Sequence, residues 1–238
     1  MMAFLGNILG GVLKMVYDIA AGMGSEPESI SFYAIAIIVT TILFKLILLP
    51  VSFHQNKSTK KMNEIQPKIK EIQAKYKSDP QIQQAKMAEI YKEHNYNPAS
   101  GCLVLLVQMP IIFAFFKVLR EPIVYAFKDP QFYADMSKNF IWIKNLENPD
   151  IIMWGLPLLA ALTTYLQSIT MPVPGGGTAD PQAQSTQRMM NIFLPVMIFV
   201  SARTFPAGLA LYWIVGNIFT IIQQLITKRS LGKIKEEI

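Results

Sequence analysis

Cysteine, histidine and charged residues are all scarce in this chain of 238 residues. The single cysteine, Cys102, cannot form an intramolecular disulfide, and the two histidines, His54 and His94, leave few ligands for zinc. Charged residues make up 16% of the chain, well below the share of about 25% that is usual in soluble domains. These shortages argue against a metal centre and against a single soluble domain.

Catalytic motifs are missing as well. The sequence contains no G-x-S-x-G nucleophile motif, no phosphate-binding P-loop and no H-E-x-x-H zinc motif. Its apolar segments also lack the pair of aspartates, or the serine with histidine, that acid-base or nucleophilic hydrolysis within a membrane would need. We therefore predict that the protein is not an enzyme, has no catalytic residues and uses neither a cofactor nor a metal.

Hydrophobic residues, by contrast, are abundant. They form 52% of the chain and are gathered into long runs, and a helix needs about 20 mostly apolar residues to cross a bilayer. Five runs fit or approach this length, which predicts an all-α membrane protein with five transmembrane helices. The fourth run is short, so it spans only if the bilayer thins or Arg203 reaches the interface. The approximate bounds of the five are 30–53, 102–119, 151–171, 189–204 and 207–227.

The positions of lysine and arginine predict the orientation of these helices. Segment 54–101 contains nine lysines, and the tail after residue 227 is also basic. In segment 120–150, by comparison, acidic residues match the lysines. Because basic residues accumulate on the cytoplasmic side of a membrane, we expect a membrane protein with its N-terminus outside and its C-terminus in the cytoplasm.

Residues 1–24 form an amphipathic pattern that precedes the first run. The polar stripe contains Asn7, Gly11, Lys14 and Asp18, and we predict a helix that lies on the outer leaflet. A signal peptide is the alternative, although the only early basic residue follows the apolar residues instead of preceding them. Residues 25–238 would then form the five-helix core. The apolar stripe of the first helix contains Phe4, Leu5, Ile8, Leu9, Val12, Leu13, Val16 and Ile19.

Segment 55–96 is polar and rich in lysine, yet its apolar residues repeat at helical spacing. Asp79 followed by Pro80 is typical of a helix start, and Asn97 followed by Pro98 repeats the device before the second run. The pattern predicts a cytoplasmic hairpin of two helices joined at 77–79. The apolar positions of its first helix are Met62, Ile65, Ile69, Ile72 and Tyr76.

Lys45 lies within the first apolar run and requires an explanation. It is eight residues from Phe53, which corresponds to a depth of about 12 Å in a helix. An ammonium group at that depth is costly, and such residues usually face a bundle interior or a hydrated cavity. No carboxylate lies deep in any of the five runs, so we favour a hydrated cavity, with extension of Lys45 to the cytoplasmic interface as the alternative.

Many other polar residues occur in the apolar runs, most of them toward the predicted cytoplasmic half. They indicate a groove in the inner leaflet, although each of them could instead form hydrogen bonds between helices. These residues are Thr40, Thr41, Gln108, Thr163, Thr164, Gln167, Asn217, Thr220, Gln223 and Gln224.

Several motifs in combination resemble the YidC membrane protein insertase family, over about residues 4–232. The resemblance implies five core spans, an outer amphipathic helix, a cytoplasmic hairpin and a groove open to cytoplasm and lipid. Because segment 120–150 is short, the chain is similar to the smaller Gram-positive type. The motifs are Lys45 with Pro50, Ile65-Gln66-Pro67-Lys68, Asn97-Pro98, Gly101-Cys102, Gln108-Met109-Pro110, Phe205-Pro206-Ala207-Gly208-Leu209 and Leu211-Tyr212-Trp213.

The resemblance also implies a set of groove residues. Members of the family usually have arginine where this chain has Lys45, which is a cation without the two-pronged geometry of arginine. Thr41, Tyr212 and Trp213 match positions to which groove contacts are attributed in the family. Two further groove residues, Gln108 and Gln167, are predicted from their polarity alone. The hairpin residues expected to capture substrates are Met62, Ile65, Pro67, Ile69, Ile72 and Tyr76.

The expected function is membrane protein insertion and chaperoning without nucleotide hydrolysis, through a hydrophilic groove with a central cation. The expected partners are nascent membrane proteins with short polar tails and the lipid bilayer, with the ribosome and the Sec translocon as further candidates; no nucleic-acid motif is present. Two alternatives remain open: an assembly scaffold for membrane proteins, and an ion or solute channel.

Overall fold

The computed structural model describes residues 2–97, 103–170 and 189–236, and every regular element within these ranges is a helix. The all-α class predicted from the sequence is therefore confirmed. A π-helical turn, Met189–Phe193, lies directly before the ninth α-helix. The α-helices are α1 (Met2–Gly22), α2 (Phe32–Ile47), α3 (Leu49–Lys75), α4 (Pro80–Glu93), α5 (Leu103–Arg120), α6 (Pro122–Tyr125), α7 (Pro130–Asp135), α8 (Leu156–Thr170), α9 (Leu194–Ala202) and α10 (Ala207–Glu236).

Two of the described helices have the length and apolar composition to cross a bilayer. They are α1, over Ala3–Gly22, and α10, over Ala207–Thr227. Phe32–Ile47 and Asn191–Ala202 are apolar but shorter. The number of transmembrane helices therefore stays a prediction.

The first predicted span, 30–53, is divided between two helices. Helix α2 ends at Ile47, and α3 begins at Leu49 with Pro50 in its first turn. Proline has no N–H and its ring crowds the carbonyl four residues earlier, which disfavours a continuous helix at Pro50, although α3 and α5 do run through Pro67 and Pro110. The structure thus places Lys45 in the last turn of α2, much closer to a helix end than the predicted span implied.

The fourth and fifth predicted spans also differ from the observed helices. Pro195 cannot donate to the carbonyl of residue 191, and the wider π turn lies just before it. Helix α9 then ends at Ala202. Helix α10 continues beyond the predicted end at residue 227 and reaches Glu236.

Helix α1 has two apolar faces where the sequence suggested one. Leu9, Leu13 and Val16 are buried in the main core, where α1 packs against α2 and α5. Phe4 and Ile8 are exposed instead, at 67% and 43% of their surface. One face of α1 therefore joins the bundle, and a second apolar face remains available to lipid.

Helices α3 and α4 pack against each other as a hairpin, and the cytoplasmic location predicted for segment 55–96 stays a prediction. Asp79 caps α4 by accepting the Ile82 N–H at 3.1 Å, and Pro80 occupies its first turn. Pro98, the proline of the second predicted cap, lies outside the described residues. The hairpin has its own small core, in which Met62, Ile65, Ile69 and Tyr96 are buried and Met87, Ile90 and Tyr91 partly buried.

Candidate functional site

The Lys45 side chain extends from α2 to α10 and has a single hydrogen-bonding partner among the described residues. Its Nζ donates to Thr220 Oγ1 at 3.2 Å. No carboxylate of the described residues lies within ion-pair distance of this ammonium group. The group is therefore a partly buried cation that a neutral hydroxyl holds in place without neutralising its charge.

Gly216, one turn before Thr220, makes room for the Lys45 side chain. A methyl group at Gly216 would lie 3.3 Å from Lys45 Cε and 4.0 Å from Thr41 Cγ2. The Thr220 hydroxyl donates to the Gly216 carbonyl at 2.8 Å, which leaves oxygen lone pairs to accept from the ammonium group. The sequence did not identify Gly216 as a site residue. A glycine in an apolar helix indicates a close contact only when the residue that packs against it from the neighbouring helix is known.

Thr41 packs beside Lys45 and is not itself exposed. It lies one turn before Lys45 on α2, its side chain is buried, and its hydroxyl donates to the Ile37 carbonyl at 2.6 Å. Its methyl group faces Gly216. Thr41 therefore shapes the space next to the cation.

Gln108 and Tyr212 form a second polar contact along the same face of α10. The Gln108 side-chain amide donates to the Tyr212 hydroxyl at 3.2 Å. The Tyr212 ring is buried and stacks on Phe115 with ring centroids 4.0 Å apart. Because Tyr212, Gly216 and Thr220 are spaced by four residues, they lie on one face of the helix. We call Lys45, Thr41, Gln108, Tyr212, Gly216 and Thr220 the cation cluster.

Trp213 and Gln167 belong to a different cluster, between α8 and α10. Trp213 Nε1 donates to Thr164 Oγ1 at 2.9 Å. The Asn217 carboxamide lies 3.2 Å from the Thr163 hydroxyl and 3.0 Å from that of Thr164, and in its favoured orientation it donates to Gln167 Oε1. We call these five residues the α8 cluster.

The six predicted groove residues are thus not brought into a single site. Tyr212 and Trp213 are consecutive, and consecutive residues on a helix point about 100° apart. Tyr212 therefore joins the cation cluster and Trp213 the α8 cluster. In the α8 cluster the polar side chains of α8 and α10 satisfy one another's hydrogen bonds, so this cluster holds the two helices together. In the cation cluster, by contrast, no carboxylate of the described residues balances the positive charge of Lys45.

The segment between α5 and α8 covers the end of the bundle opposite to Lys45. Ser31 caps α2 by accepting the Ala34 N–H at 3.2 Å, and its hydroxyl donates to the Asn139 carbonyl at 2.8 Å. The first turn of α10 is held in the same way, since the Ala207 and Gly208 N–H groups donate to segment 146–148 at 2.9 Å. The residues of α2 next to this end, Tyr33, Ala34, Ala36 and Ile37, are buried.

An ion pair stabilises this covering segment. Lys138 Nζ lies 3.3 Å from a Glu147 carboxylate oxygen and 4.0 Å from the centre of the Tyr133 ring, and the Tyr133 hydroxyl donates to Glu147 at 2.7 Å. Burial, together with the nearby Tyr33 and Glu147, raises the pKa of Tyr133 well above its ordinary value. The hydroxyl therefore stays protonated and keeps donating. We call Tyr133, Lys138 and Glu147 the outer clamp.

The hairpin residues expected to capture substrates have unequal exposure. Met62, Ile65 and Ile69 are buried in the hairpin core, Ile72 and Tyr76 are partly buried, and Pro67 is exposed. Their role in capture stays a prediction. As to metals, the described ranges contain no group of three or more histidine, cysteine, aspartate or glutamate side chains that could hold an ion.

Comparison with known proteins gives consistent matches over most of the chain. Residues 27–235 match the family described as 60Kd inner membrane protein. The chain is 36% identical over 228 residues to the membrane protein insertase YidC of Clostridium tetani, covering 96% of this chain and 95% of that protein. It is 40% identical over 195 residues to the protein of the same name from Clostridium perfringens, covering 80% of this chain and 76% of that protein.

A solved structure agrees with these matches. The fold is similar to the crystal structure of an active YidC insertase with its first transmembrane domain resolved, with a TM-score of 0.55 and 28% sequence identity. The similarity covers 82% of this chain and 41% of that longer one. Sequence and fold therefore agree, and the chain belongs to the YidC family of 60 kDa inner membrane proteins.

Proposed function

We propose that this protein inserts nascent membrane proteins with short polar tails into the bacterial plasma membrane, without nucleotide hydrolysis. The relatives from two Clostridium species, both named membrane protein insertase, support this class of function. The lipid bilayer is then the second partner, because the inserted segment ends in it. The ribosome and the Sec translocon remain candidate partners.

The observation that carries the proposal is the uncompensated charge of Lys45. Of the cations in the described helices, Lys14 and Lys86 pair with carboxylates on the same helix, whereas Lys45 contacts only a hydroxyl. Keeping an ammonium group in an apolar helix without a counter-ion has a free-energy cost. An incoming acidic group would supply the missing counter-ion.

The mechanism we propose is solvation of a polar tail in a groove around the cation cluster. The tail enters from the cytoplasm, its acidic groups associate with Lys45, and the Gln108 amide and Tyr212 hydroxyl offer further hydrogen bonds. The hydrophobic segment then moves into the lipid, and partition of about 20 apolar residues drives its release. No covalent step is required.

The packing of the outer half of α2 favours a blind groove over a channel. Tyr33, Ala34 and Ile37 are buried there, and the covering segment holds the helix start through Ser31. A polar tail would therefore have to leave sideways into lipid. This agrees with an orientation in which the N-terminus is outside and the hairpin is cytoplasmic.

The hairpin would capture the substrate first. Its apolar seam is closed in this structure, and among the described residues four are buried in the core that closes it, Met62, Ile65, Ile69 and Tyr96. So small a core gives little resistance to local opening. We propose that opening exposes the seam to a nascent hydrophobic segment.

Reconstitution of the purified protein into protein-only liposomes tests the function directly. An insertase inserts a small test substrate without ATP and without other proteins, and it leaves the ion permeability of the liposomes unchanged. Ion flux without insertion would indicate a channel, and neither activity would indicate an assembly scaffold. Either of these two results would overturn the proposal.

A further inference from the structure

Four large apolar side chains are exposed in the turn that precedes α8. The sequence predicts one span over 151–171, but α8 begins only at Leu156, so the first residues of this uncharged run lie outside the helix. Turns that face water are usually built from glycine, proline, asparagine, aspartate and serine, and the composition of this turn therefore requires another explanation. We call its four residues, Ile151, Ile152, Met153 and Trp154, the apolar turn; Ile151 and Trp154 are exposed at 89% and 75% of their surface.

A buried carboxylate holds the apolar turn in place. One oxygen of Asp150 accepts the Ile152 N–H at 3.0 Å, and the other accepts the Leu156 N–H at 2.8 Å and the ring N–H of Trp142 at 3.1 Å. The Gly155 N–H donates to the Ile152 carbonyl at 3.0 Å, and a methyl group at Gly155 would overlap the Asp150 carboxylate. The polar groups of the turn are therefore directed inward, which leaves its apolar side chains to face outward.

Two tryptophans belong to this surface. Trp142 is bound to Asp150 through its ring N–H and is itself exposed, so it extends the apolar surface beside the turn. The indole N–H of Trp154 forms no hydrogen bond with the described residues. An apolar ring with a free N–H donor suits the boundary between hydrocarbon and lipid headgroups, where tryptophan is enriched in membrane proteins.

The apolar turn is continuous with an exposed apolar stripe on α8. Residues of α8 at spacings of three and four lie on one face, and the opposite face packs against α9 and α10. In a member of a membrane protein family, an uncharged apolar face that contacts no other described helix is a surface for lipid. The turn lies where this face ends, on the side of the bundle opposite to Lys45. The exposed residues of the stripe are Leu159, Leu162, Leu166 and Ile169.

We propose that the apolar turn inserts into the outer-leaflet interface of the bilayer and anchors the start of α8 there. Because the α8 cluster joins α8 to α10, this anchor also fixes the depth at which α10 presents its part of the cation cluster. The proposal rests on the predicted span 151–171 and on the proposed orientation. It does not depend on insertion, since a scaffold or a channel with this fold would be anchored in the same way.

The accessibility of a spin label in liposomes tests the proposal. Cys102→Ser removes the single cysteine, and a nitroxide is then attached at Ile151→Cys, the most exposed position of the turn. The matched control is Asn148→Cys, an exposed polar position just before the turn. The full chain is reconstituted into phosphatidylcholine liposomes without other proteins. Power saturation measures how often the label collides with oxygen, which concentrates in the bilayer, and with a nickel complex that stays in water.

We expect the label at Ile151→Cys to collide more often with oxygen than with the nickel complex, and the label at Asn148→Cys to show the reverse. Adding Trp154→Ser should shift the label at Ile151→Cys toward the nickel complex, because the turn loses its interfacial ring. The matched control Val124→Ser, which removes an exposed apolar side chain elsewhere, should leave the ratio unchanged. Both substituted side chains are exposed, so the fold should tolerate the changes.

Four results would overturn the proposal. Preference for the nickel complex at both labelled positions would show that the turn lies in water. Preference for oxygen at both would assign the lipid contact to the whole segment instead of the turn. Few collisions with either reagent at Ile151→Cys would show that protein, such as a second copy of the chain, covers the turn. An unchanged ratio after Trp154→Ser would show that the tryptophan does not hold the turn in the bilayer.

Discussion

Replacing Glu147 with glutamine removes the negative charge of the outer clamp and preserves its shape. Glutamine keeps a side-chain oxygen that can accept a hydrogen bond from the Tyr133 hydroxyl. In the unmodified chain this hydroxyl donates to the Glu147 carboxylate at 2.7 Å. Glutamine cannot compensate Lys138, whose side chain is only 8% exposed. The variant therefore isolates the charge of the pair, and we expect it to loosen the segment that holds the starts of α2 and α10.

The size of the effect follows from the burial of the two partners. Breaking a fully buried pair costs about 3–5 kcal/mol, and an exposed pair contributes at most about 1 kcal/mol. Since Glu147 is 34% exposed, solvent screening places the expected loss between these limits, at about 1–2 kcal/mol. For a chain of this length that loss lowers the Tm by about 2–8 °C.

The effect should depend on pH. Partial burial alone would raise the pKa of Glu147, but hydrogen bonds from Tyr133 and Asn145 and the charge of Lys138 outweigh it and lower the pKa from its ordinary value. A carboxyl group with a lowered pKa stabilises the fold above its unfolded pKa, and the contribution is lost as pH falls through the folded value. The difference in Tm between the chain and Glu147→Gln should therefore shrink below about pH 4.

Thermal unfolding in one detergent and at one scan rate measures this difference. Glu121→Gln, an exposed carboxylate at the start of the same segment, is the matched control and should leave the Tm unchanged. A Tm for Glu147→Gln within about 1 °C of the unmodified chain at pH 7 would refute the reasoning. An equal loss in Glu121→Gln would do so as well.

Two further predictions concern other parts of the molecule. Gly10→Ala should lower the Tm, by an overpacking cost of about 1–3 kcal/mol, because its methyl group would overlap the Tyr125 backbone. The control Gly22→Ala should leave the Tm unchanged, because the space around Gly22 is open. Equal Tm values for the two variants would contradict the packing described for Gly10. Removal of residues 57–94 should abolish crosslinking to nascent chains and leave the Tm of the bundle nearly unchanged, because the hairpin has its own core. Loss of the fold in this variant would refute the idea that the hairpin captures substrates without stabilising the bundle.

Local signals in the sequence predicted part of this structure well. The helical spacing of the hairpin residues and the pair Asp79 and Pro80 were sufficient to predict α3, α4 and the cap between them. Pro50 was also informative, because a proline disfavours the continuation of a helix and is favoured in a first turn. The apolar pattern nevertheless continued to residue 53, and following it gave a first span that was too long.

The composition of the candidate site depends on contacts that no local pattern contains. Gly216 matters only because Lys45 crosses it from another helix. The outer clamp joins Tyr133 to Glu147 through a loop whose path is set by the bundle. By contrast, the separation of Tyr212 from its neighbour Trp213 was foreseeable, because the geometry of a helix turns consecutive residues to different faces.

The charge of Lys45 is the centre of the proposed mechanism, and insertion of paired substrates in liposomes tests it most directly. The two substrates differ only in whether their short tail is acidic or neutral, and they are offered to the unmodified protein, Lys45→Arg and Lys45→Ala. We expect Lys45→Arg to preserve the insertion of both substrates. Lys45→Ala should lower insertion of the acidic tail about five- to tenfold, for a lost charge interaction of about 1–1.4 kcal/mol, with little effect on the neutral tail. Equal insertion of the acidic tail by the unmodified protein and by Lys45→Ala would contradict a role for the cation.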